Sequence, residues 1–600
     1  MIRRTLVVFF AWLCLMGAAT AQEAPESPTG QPAPEPSLTA DQGRALLQAV
    51  RHVMTPIPTL ADPEALDAEF LNAPNECLLV LSLYESGPAL FVGGYEGRTL
   101  NEAARAGGRD ISEEIRKLPD GERTLRQARL QVDVVTKRDT MHVRNRLFAS
   151  EKIQFGRDGV ICYLPNNRVY FTPVAVLRHA RDLDFIKSAF IAQESTVPPA
   201  NMKMERIRTE AFVESAPGGA ALPVFHGNTL IEKPYAGEMT EAAFLGGLWL
   251  LRMQQEDGSF LPAWFPAAER VDRDAEYNLL DHTRSMLTLV QLYQLTEDER
   301  YLDAFKRARD YLLPFVERNR RLRVAYLKSR ERDEISATAL LLTTLCNYRM
   351  IQEAGTAEAI AFELQLGEFL CTLIDQDGWL HTRLANVIEN KEVRVSQGPP
   401  YAEVLMGLCM LERVAPRERV RKKIGNLVEL MTSFRSSAPP AGPRTIEAIA
   451  QTYALTRDPE LAGAAVALGN MIAQLQLNPD EVPSPDYLGA FAEPNLAPQT
   501  FTAAQAMSGM AMAYQMARIR KEPGQQFSEP VRDAAQFLIT MQFRPDNVYY
   551  LRHPEVLLGG FRKGVEDLTL QTGTTAESVR ALLSAAAVTA ETIAPEEAEQ

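Results

Sequence analysis

The segment TEAAFLGGLWLLRMQQEDGSFLPAWFP, residues 240–266, indicates how the C-terminal part of the chain folds. It begins as an apolar helix, stops at an Asp-Gly turn and continues as an aromatic loop. A polar run, DRDAEYNLLDHTR at residues 272–284, leads into a second apolar helix that ends LVQLYQL at residues 289–295. Two apolar helices joined by a long polar loop predict a helical hairpin with its chemistry in the loop.

The same plan recurs to the end of the chain. The expected starts of about twelve helices are residues 240, 278, 297, 334, 357, 401, 416, 444, 459, 501, 528 and 574. Links after even-numbered helices are short, and those after odd-numbered helices are long. Because successive helices run antiparallel, the long loops gather on one rim. An all-α (α/α)6 toroid over residues 236–590 is expected, and an open helical solenoid is the alternative.

A mixed pattern precedes the helices. Strands are expected at residues 77–84, 89–95, 130–135 and 159–163, and helices at residues 45–54, 99–117 and 179–192. These elements predict a small α+β domain over residues 39–215. A linker containing Gly and Pro, residues 216–235, separates it from the helical domain.

The N-terminus has the pattern of a secretory signal peptide. Arg3 and Arg4 precede an apolar run, and small residues end at Ala21. The apolar run is short for the alternative, a membrane anchor. Residues 22–38 predict a disordered linker, and residues 591–600 an acidic tail. We expect a periplasmic or secreted protein that is not held in the membrane after signal cleavage.

Composition excludes several classes of function. A net charge of −14 disfavours nucleic-acid binding, and the basic run at residues 318–332 is interpreted as a solvated helix end or as an attractor for an anionic substrate. The five cysteines after the signal show no C-x-x-C spacing, although Cys77 and Cys162 could pair. No zinc-protease motif, phosphate loop or esterase elbow occurs, and neither a metal nor a cofactor is expected.

The rim loops carry the candidate site residues. Three carboxylates are candidates for catalysis: Asp281, Glu403 and Glu577. Candidates for substrate binding are Trp264, Tyr277, Asn278, His282, Trp379, His381, Tyr401, Asp486, Tyr487 and Arg562. Aromatic rings offer apolar faces to sugar C–H groups while carboxylates and amides bind hydroxyls, so a carbohydrate or other polar small molecule is the expected partner.

Each of these residues also has a structural interpretation. The Asp-Gly turns suit a helix stop, His282 suits a capping or hydrogen-bonded role, and Glu403 suits the positive end of a helix dipole. If the site is catalytic, glycoside hydrolysis would use two of the three carboxylates. A lyase would instead use Tyr401 or His282 as base, with Arg562 neutralising a uronate.

Two resemblances follow from quoted motifs. FVGGY at residues 91–95, GRDGVICY at residues 156–163 and RIRTEAFVE at residues 206–214 resemble an AMMECR-like domain, although the usual Arg-Gly-Cys strand is replaced. LLRMQQEDGSF, EYNLLDH, PYAEVLMGL and LGGFRKG resemble the six-hairpin toroids of glycosidases, uronyl hydrolases and sugar epimerases. Epimerases of this kind use histidines, and residues 572–577 contain none.

The sequence therefore predicts an exported glycan-active protein that hydrolyses a carbohydrate at the long-loop rim. The alternative is a noncatalytic toroid that binds a glycan or a protein.

Overall fold

A computed structural model describes residues 38–55, 69–141, 153–163, 167–178, 203–266, 268–271, 277–330, 332–352, 356–394, 399–433, 442–478, 480, 482–492 and 497–597. The predicted signal peptide, nearly all of the predicted linker at 22–38 and the predicted helix at 179–192 lie outside these residues. Within them, no helix is both long and apolar enough to cross a membrane.

The N-terminal part is built on one antiparallel sheet. Its strands are Cys77–Tyr84 (β1), Phe91–Gly97 (β2), Arg129–Met141 (β3), Asp158–Tyr163 (β4), Arg168–Phe171 (β5), Lys203–Glu214 (β6), Ala221–Phe225 (β7) and Asn228–Thr229 (β8). The order is β2-β1-β3-β6-β4-β5, with β7 paired to β6 and β8 to β7. Apolar runs such as CLLVLSLY in β1 are buried almost throughout, as expected for strands inside a sheet. The predicted sheet-bearing N-terminal part is confirmed.

Helices accompany this sheet. They are Ala40–Met54 (α1), Glu69–Asn72 (α2), Leu100–Arg116 (α3), Gly121–Gln127 (α4) and Pro173–Arg178 (α5). Thr39 caps α1 and Thr99 caps α3, each by accepting a hydrogen bond from the backbone N–H three residues later. Cys77 and Cys162, the suggested disulfide pair, are both free thiols, because β3 and β6 stand between their strands.

The C-terminal part is helical, and its helices begin within a few residues of the predicted starts. One set has a single buried face: Ala236–Met253 (α6), Glu299–Leu312 (α8), Ala357–Leu373 (α10), Glu418–Ser433 (α13), Pro459–Ala473 (α15) and Gln525–Met541 (α17). The alternating set is Leu279–Thr296 (α7), Ile335–Gln352 (α9), Pro399–Val414 (α12), Arg444–Thr456 (α14), Thr500–Ile519 (α16) and Thr572–Glu597 (α19). Short helices Leu384–Ile388 (α11) and Pro554–Leu557 (α18) lie in long loops.

The second set forms an inner layer whose contacts close on themselves. Along this layer α7 contacts α9, α9 contacts α12, α12 contacts α14, α14 contacts α16, and α16 contacts α19. The last inner helix, α19, contacts the first one, α7. The first set packs outside it, for example α6 on α19 and α8 on α7. In α9 nearly every residue from Ile335 to Cys346 is buried, whereas α8 buries one stripe that includes Tyr301, Phe305 and Ala308.

The same contact recurs between neighbouring hairpins. A glycine in the loop after one outer helix packs against the backbone of the next outer helix, and we call it a joint glycine. After α6, Gly258 adopts φ +89°, and a Cβ built there would lie 2.2 Å from the carbonyl oxygen of Arg307 in α8. Only glycine fits a left-handed conformation pressed against a neighbouring backbone. Equivalent glycines follow three other outer helices, at Gly378, Gly489 and Gly559. The structural interpretation of the Asp-Gly turns therefore matches these contacts.

One local prediction needs correction. The spacing Thr296-x-x-Glu299 in the sequence predicts a capping box at the start of α8, but Thr296 is the last residue of α7, and its hydroxyl donates to the carbonyl of Leu292. Asp298 is the cap, because its carboxylate accepts from the N–H of Arg300. The predicted acidic tail is helical as far as it is described, since α19 continues to Glu597.

The sheet packs on two of the long loops of the helical part. The Tyr549 hydroxyl donates to the side-chain oxygen of Gln131 at 2.7 Å, and the N–H of Gly87 donates to the Tyr549 carbonyl at 3.1 Å. His226, in the turn between β7 and β8, contacts Asp486. The loops that precede α16 and α19 are thus partly covered by the N-terminal part.

Candidate functional site

The N-terminal halves of four inner helices bring seven charged residues together. We call them the inner-helix cluster: Asp281 and Arg284 of α7, Glu403 of α12, Arg444 and Glu447 of α14, and Glu577 and Arg580 of α19. All but Asp281 are buried. The long loops lead into these helix N-termini, so the cluster lies at the end of the helical part where the long loops are.

One side of the cluster is organised by Arg284. Its guanidinium donates to Asp281 at 2.8 Å and lies 3.8 Å from the nearer carboxylate oxygen of Glu403. The same guanidinium stacks over the ring of Phe501, 4.9 Å from its centroid. Arg284 therefore holds two of the three predicted catalytic carboxylates on either side of one cation.

The other side is a denser ion network. Arg444 donates to Glu577 and, at 3.1 Å, to Glu447. Arg580 donates to the same Glu447 oxygen at 3.1 Å and to Glu577 at 3.5 Å. Two arginines thus neutralise two glutamates in a closed arrangement.

Mutual attraction outweighs burial in this network. Burial disfavours the charged guanidinium of Arg444, but the carboxylates of Glu577, Glu447 and Glu403 have the larger combined effect and raise the pKa of Arg444. Burial likewise opposes ionisation of Glu447, yet Arg444 and Arg580 lower its pKa. Arg444 and Glu447 therefore stay ionised.

Glu403 differs from its neighbours. It is fully buried, and neither of its carboxylate oxygens has a hydrogen-bond partner among the described residues. An unsatisfied buried carboxylate is costly, so such a group normally faces water or a ligand hydroxyl. Glu403 is therefore a cluster member whose two carboxylate oxygens are available to a ligand hydroxyl or to water.

Asn278, one of the residues predicted to bind substrate, holds the Asp281 side chain in place. Asn278 caps α7 by accepting from the N–H groups of Leu280 and Asp281, and its amide donates to the Asp281 carboxylate at 2.8 Å. This places Asn278 beside the cluster, as a support for one of its carboxylates.

His282 faces the packed interior. Its Nε2–H donates to the carbonyl of Ala308 at 2.9 Å, and its Nδ1 accepts from the Tyr277 hydroxyl at 2.6 Å. Burial lowers the pKa of His282 to about 4. Both ring nitrogens are used and the ring is almost inaccessible, so His282 has a structural role and the proposed site does not include it.

Tyr277 and Tyr401 hold loops. The Tyr277 hydroxyl accepts from the N–H of Phe260 at 2.9 Å, and the Tyr401 hydroxyl accepts from the N–H of Leu380 at 3.3 Å. Phe260 and Leu380 each follow a joint glycine by two residues. The two tyrosines thus perform the same task in the first and third hairpins, which leaves their hydroxyls less suited to the substrate contacts that we predicted.

Three aromatic candidates lie on the loops at half-buried positions. Trp264, in strand Ala263–Phe265 (β9), pairs with Leu570 of the strand Asp567–Gln571, which runs directly into α19. Trp379 lies under the guanidinium of Arg394 at 5.9 Å, and His381 pairs its backbone with Arg394. These three residues lie on the long loops, outside the helices that carry the inner-helix cluster.

The remaining candidates are buried beneath the N-terminal part. Asp486 accepts from Asn228 at 3.0 Å and contacts His226, and Tyr487 packs against the same histidine with ring centroids 5.8 Å apart. Arg562 donates to the His226 carbonyl at 3.1 Å. The sequence predicted a shared rim, but Asp486, Tyr487 and Arg562 belong to a contact between the two parts of the chain, so the proposed site does not include them.

Sequence reasoning missed Arg444, Glu447 and Arg580. A signal was present, because Arg444 and Glu447, like Glu577 and Arg580, are opposite charges three residues apart at the start of strongly apolar helices. Charges on a helix that is otherwise buried all round mark a polar interior. Among the described residues, no group of three His, Cys, Asp or Glu side chains is arranged to hold a metal ion.

No protein-family model and no curated sequence matches the chain. Solved structures similar to it include cellobiose 2-epimerase from Bacillus thermoamylovorans B4167, at 14% identity over 58% of this chain and 98% of that chain, with a TM-score of 0.44. An inactive variant of an α-1,6-mannanase from Salegentibacter sp. HEL1_6, in complex with α-1,6-mannotriose, is 11% identical over 58% and 99%, with a TM-score of 0.43. A D-mannose isomerase is 10% identical over 59% and 97%, with a TM-score of 0.44. The resemblance to glycosidases and sugar epimerases is confirmed, and identities this low carry no information about the reaction.

Proposed function

We propose that residues 236–590 form an (α/α)6 toroid that binds a carbohydrate at the N-terminal ends of its inner helices and hydrolyses it. The closed contacts of the inner helices support the toroid over the open solenoid. The signal-peptide pattern of residues 1–21 supports export to the periplasm or the outside of the cell.

The observation that carries the hydrolytic proposal is the pairing of Asp281 and Glu403 across Arg284. Glycoside hydrolysis needs two carboxyl groups, one to protonate the leaving oxygen and one to activate water or attack the sugar. Asp281 keeps 26% of its side chain exposed, while Glu403 is enclosed and has no hydrogen-bond partner among the described residues. Two carboxylates in unequal environments suit the two roles.

We assign the two roles by access. Asp281 faces the solvent side and activates the attacking water, and Glu403 donates the proton to the departing oxygen. Glu577 already accepts from two arginines, so its part is to hold Arg444 and Arg580 in place rather than to exchange a proton. Trp264, Trp379 and His381 supply half-buried surfaces on the loops against which a sugar can pack.

The test measures release of reducing ends from a panel of α- and β-linked oligosaccharides. Glu403→Gln and Asp281→Asn should each lower turnover by about 10²–10⁴-fold, the contribution typical of general acid–base groups. Glu363→Gln is the matched control, because Glu363 is also a buried glutamate paired with an arginine, at 2.8 Å from Arg349, but lies on the outer helix α10. Unchanged turnover in both site variants would refute the catalytic pair.

A second function is favoured by one feature of the same cluster. Four described carboxylates face three arginines, and Glu447 and Glu577 are each bonded to two of them. Such a compensated network suits a structural interior beneath a noncatalytic glycan- or protein-binding surface. Calorimetric binding of an oligosaccharide with no turnover across the panel would support this function.

A further inference from the structure

A cavity of about 200 Å³ lies between the sheet and the loop that precedes α16. Its walls come from both parts of the chain: Gly156 and Arg157 before β4, Arg208 and Thr209 of β6, His226 after β7, and Ser484 of the helical part. The cavity is remote in sequence from the inner-helix cluster, and neither Asp281 nor Glu403 lines it. It is therefore a separate feature of the molecule.

His226 lines this cavity, and only one of its two ring nitrogens is hydrogen-bonded to the described residues. Its Nδ1 lies 3.0 and 3.1 Å from the two carboxylate oxygens of Asp486, so Nδ1 carries the proton and donates it. Its Nε2 is buried and has no hydrogen-bond partner within the described residues. The side chain is 1% exposed, and an unpaired polar atom at such depth calls for a partner in the cavity.

The backbone around His226 is held in a strained form. His226 itself has φ +47°, a conformation that non-glycine residues seldom adopt. Arg562 donates to its carbonyl at 3.1 Å, and Asn228 donates to the same Asp486 carboxylate. Strain maintained by this many partners is typical of a functional position.

A cation lines the same cavity as the unpaired nitrogen. Gly156 packs so closely on His226 that a Cβ there would lie 2.8 Å from Cδ2, the ring atom bonded to Nε2. The next residue is Arg157, which lines the cavity and whose guanidinium makes no hydrogen bond or ion pair with the described residues. Burial lowers the pKa of Arg157, and the charge of Arg208 adds to this effect. The carboxylates of Asp158 and Asp486 act in the opposite direction without outweighing it. An unpaired, half-buried guanidinium gains from an anionic partner.

The acidic groups that line or adjoin the cavity are already engaged, and among them Glu210 accepts from the N–H of Leu38 at 3.0 Å. Asp486 is occupied by His226 and Asn228, and Asp133 accepts from Gln131 at 2.8 Å and Thr209 at 2.9 Å. Arg208 is paired with Asp158 at 3.2 Å. The charged group of the cavity that lacks a partner among the described residues is therefore the Arg157 guanidinium, which argues for an anion and against a cation as the ligand.

We infer that this cavity is a binding site for a small anion, a carboxylate or phosphate group held between the Arg157 guanidinium and His226 Nε2. For the anion to bind at Nε2, that nitrogen takes up one proton from solvent and donates it to the ligand, while Nδ1–H continues to donate to Asp486. The volume is below the range of about 300–1,000 Å³ of sites for drug-sized ligands, so the ligand is of monosaccharide size or smaller. Because both parts of the chain line the cavity, the bound anion fixes their relative position.

The experiment is calorimetric titration of the full mature chain with acetate, glucuronate and inorganic phosphate, with glucose as the neutral control. At least one anion should bind, and which one binds identifies the group. Arg157→Gln should weaken that binding by at least about tenfold, as expected for the loss of a charge-assisted hydrogen bond, and Arg157→Lys should restore part of it. Arg126→Gln, at an exposed arginine of α4, is the matched control and should bind like the wild type.

A second readout does not depend on the variants. The chain contains seven histidines, and the ¹⁵N resonance of His226 Nε2, assigned by its absence in His226→Gln, should move when the anion is added. The inference is overturned if no anion binds, if glucose binds equally well, or if Arg157→Gln binds as tightly as the wild type. Sugar turnover plays no part in these measurements, so their outcome is independent of the proposed hydrolysis.

Discussion

Arg444 and Glu577 form an ion pair between α14 and α19, across 133 residues of sequence, and their side chains are only 3% and 0% exposed. The pair ties together two inner helices that do not directly follow one another in the chain. Its partners Glu447 and Arg580 share the same oxygens, so no member of the network can be removed without leaving a buried charge behind.

Removal of this cation should destabilise the protein strongly. Arg444→Met leaves Glu577 and Glu447 undercompensated, and we expect a loss of about 3–5 kcal/mol in the free energy of unfolding. Urea denaturation measures the change. Arg518→Met is the control, because the Arg518–Glu591 pair is about half exposed and should contribute less than about 1 kcal/mol. Equal effects of the two substitutions would contradict the structural role of the network.

His282 should make the fold sensitive to acid. Its pKa falls from 6.5 to about 4 on folding, so the unfolded chain binds an extra proton between these values. The stability linked to a neutral His282 is therefore complete above pH 6.5 and decreases, by about 3 kcal/mol, as pH falls to 4. The difference in unfolding free energy between wild type and His282→Gln should shrink over this window.

Urea unfolding at pH 7.5, 5.5 and 4 provides the measurement for His282. His553→Gln is the control, because His553 is exposed and its substitution should leave the pH profile of the wild type unchanged. A difference between wild type and His282→Gln that stays constant from pH 7.5 to pH 4 would show that His282 does not titrate on unfolding.

Asp133 should have the opposite dependence on pH. Burial raises its pKa from 3.8 to about 7, partly offset by hydrogen bonds from Gln131 and Thr209. The native state thus holds an extra proton between these values, and stability falls by about 4 kcal/mol as pH rises from 4 to above 7. The melting temperature of Asp133→Asn relative to that of the wild type should therefore be higher at pH 8 than at pH 5.

Thermal unfolding of both proteins at the two pH values measures the effect of Asp133. Asp139→Asn is a useful contrast, because a hydrogen bond from Arg206 lowers the pKa of Asp139, and its substitution should not stabilise the protein at pH 8. If Asp133→Asn lost as much stability at pH 8 as at pH 5, the carboxyl would not carry a raised pKa.

The joint glycines should resist substitution. Gly489 has φ +83°, and a Cβ there would lie 1.8 Å from the carbonyl oxygen of Asp533. Gly489→Ala should therefore lower the unfolding free energy by at least about 2 kcal/mol, from left-handed strain and steric overlap. Gly425→Ala is the matched control, because nothing lies within 4 Å of that Cβ and alanine favours the helix by about 1 kcal/mol. Urea denaturation should show changes of opposite sign.

Much of the helical part could be predicted because it depends on local pattern. Apolar spacing of three and four residues predicts helices, as at Tyr301, Phe305 and Ala308, which all lie on the buried face of α8. The pair Asp458-Pro459 in the sequence predicts a helix start, and the structure confirms it, because the Asp458 carboxylate accepts from the N–H of Glu460. The cap at Asp298 was missed because Thr296 and Asp298 are both good capping residues, and only the three-dimensional end of α7 distinguishes them.

The site was harder to predict because it depends on distant contacts. Asp281, Glu403 and Glu577 could be placed at one end of the helices from loop lengths, but their arginine partners depend on which inner helices face each other. Asp486 and Arg562 were assigned to the same rim, and nothing in their local sequence shows that β7, β8 and the turn at His226 cover them. A long-loop position does not by itself imply an open surface.

Gly559 makes the joint of the last hairpin against Leu245 of α6, so the final loop closes on the first outer helix with the same geometry that joins successive hairpins. In a linear array the terminal hairpins have one neighbour each and can fray independently. Here the first and last hairpins each have two neighbours, and detaching any one of them breaks two interfaces. Closure thus removes the weak ends and couples the hairpins into a single cooperative folding unit.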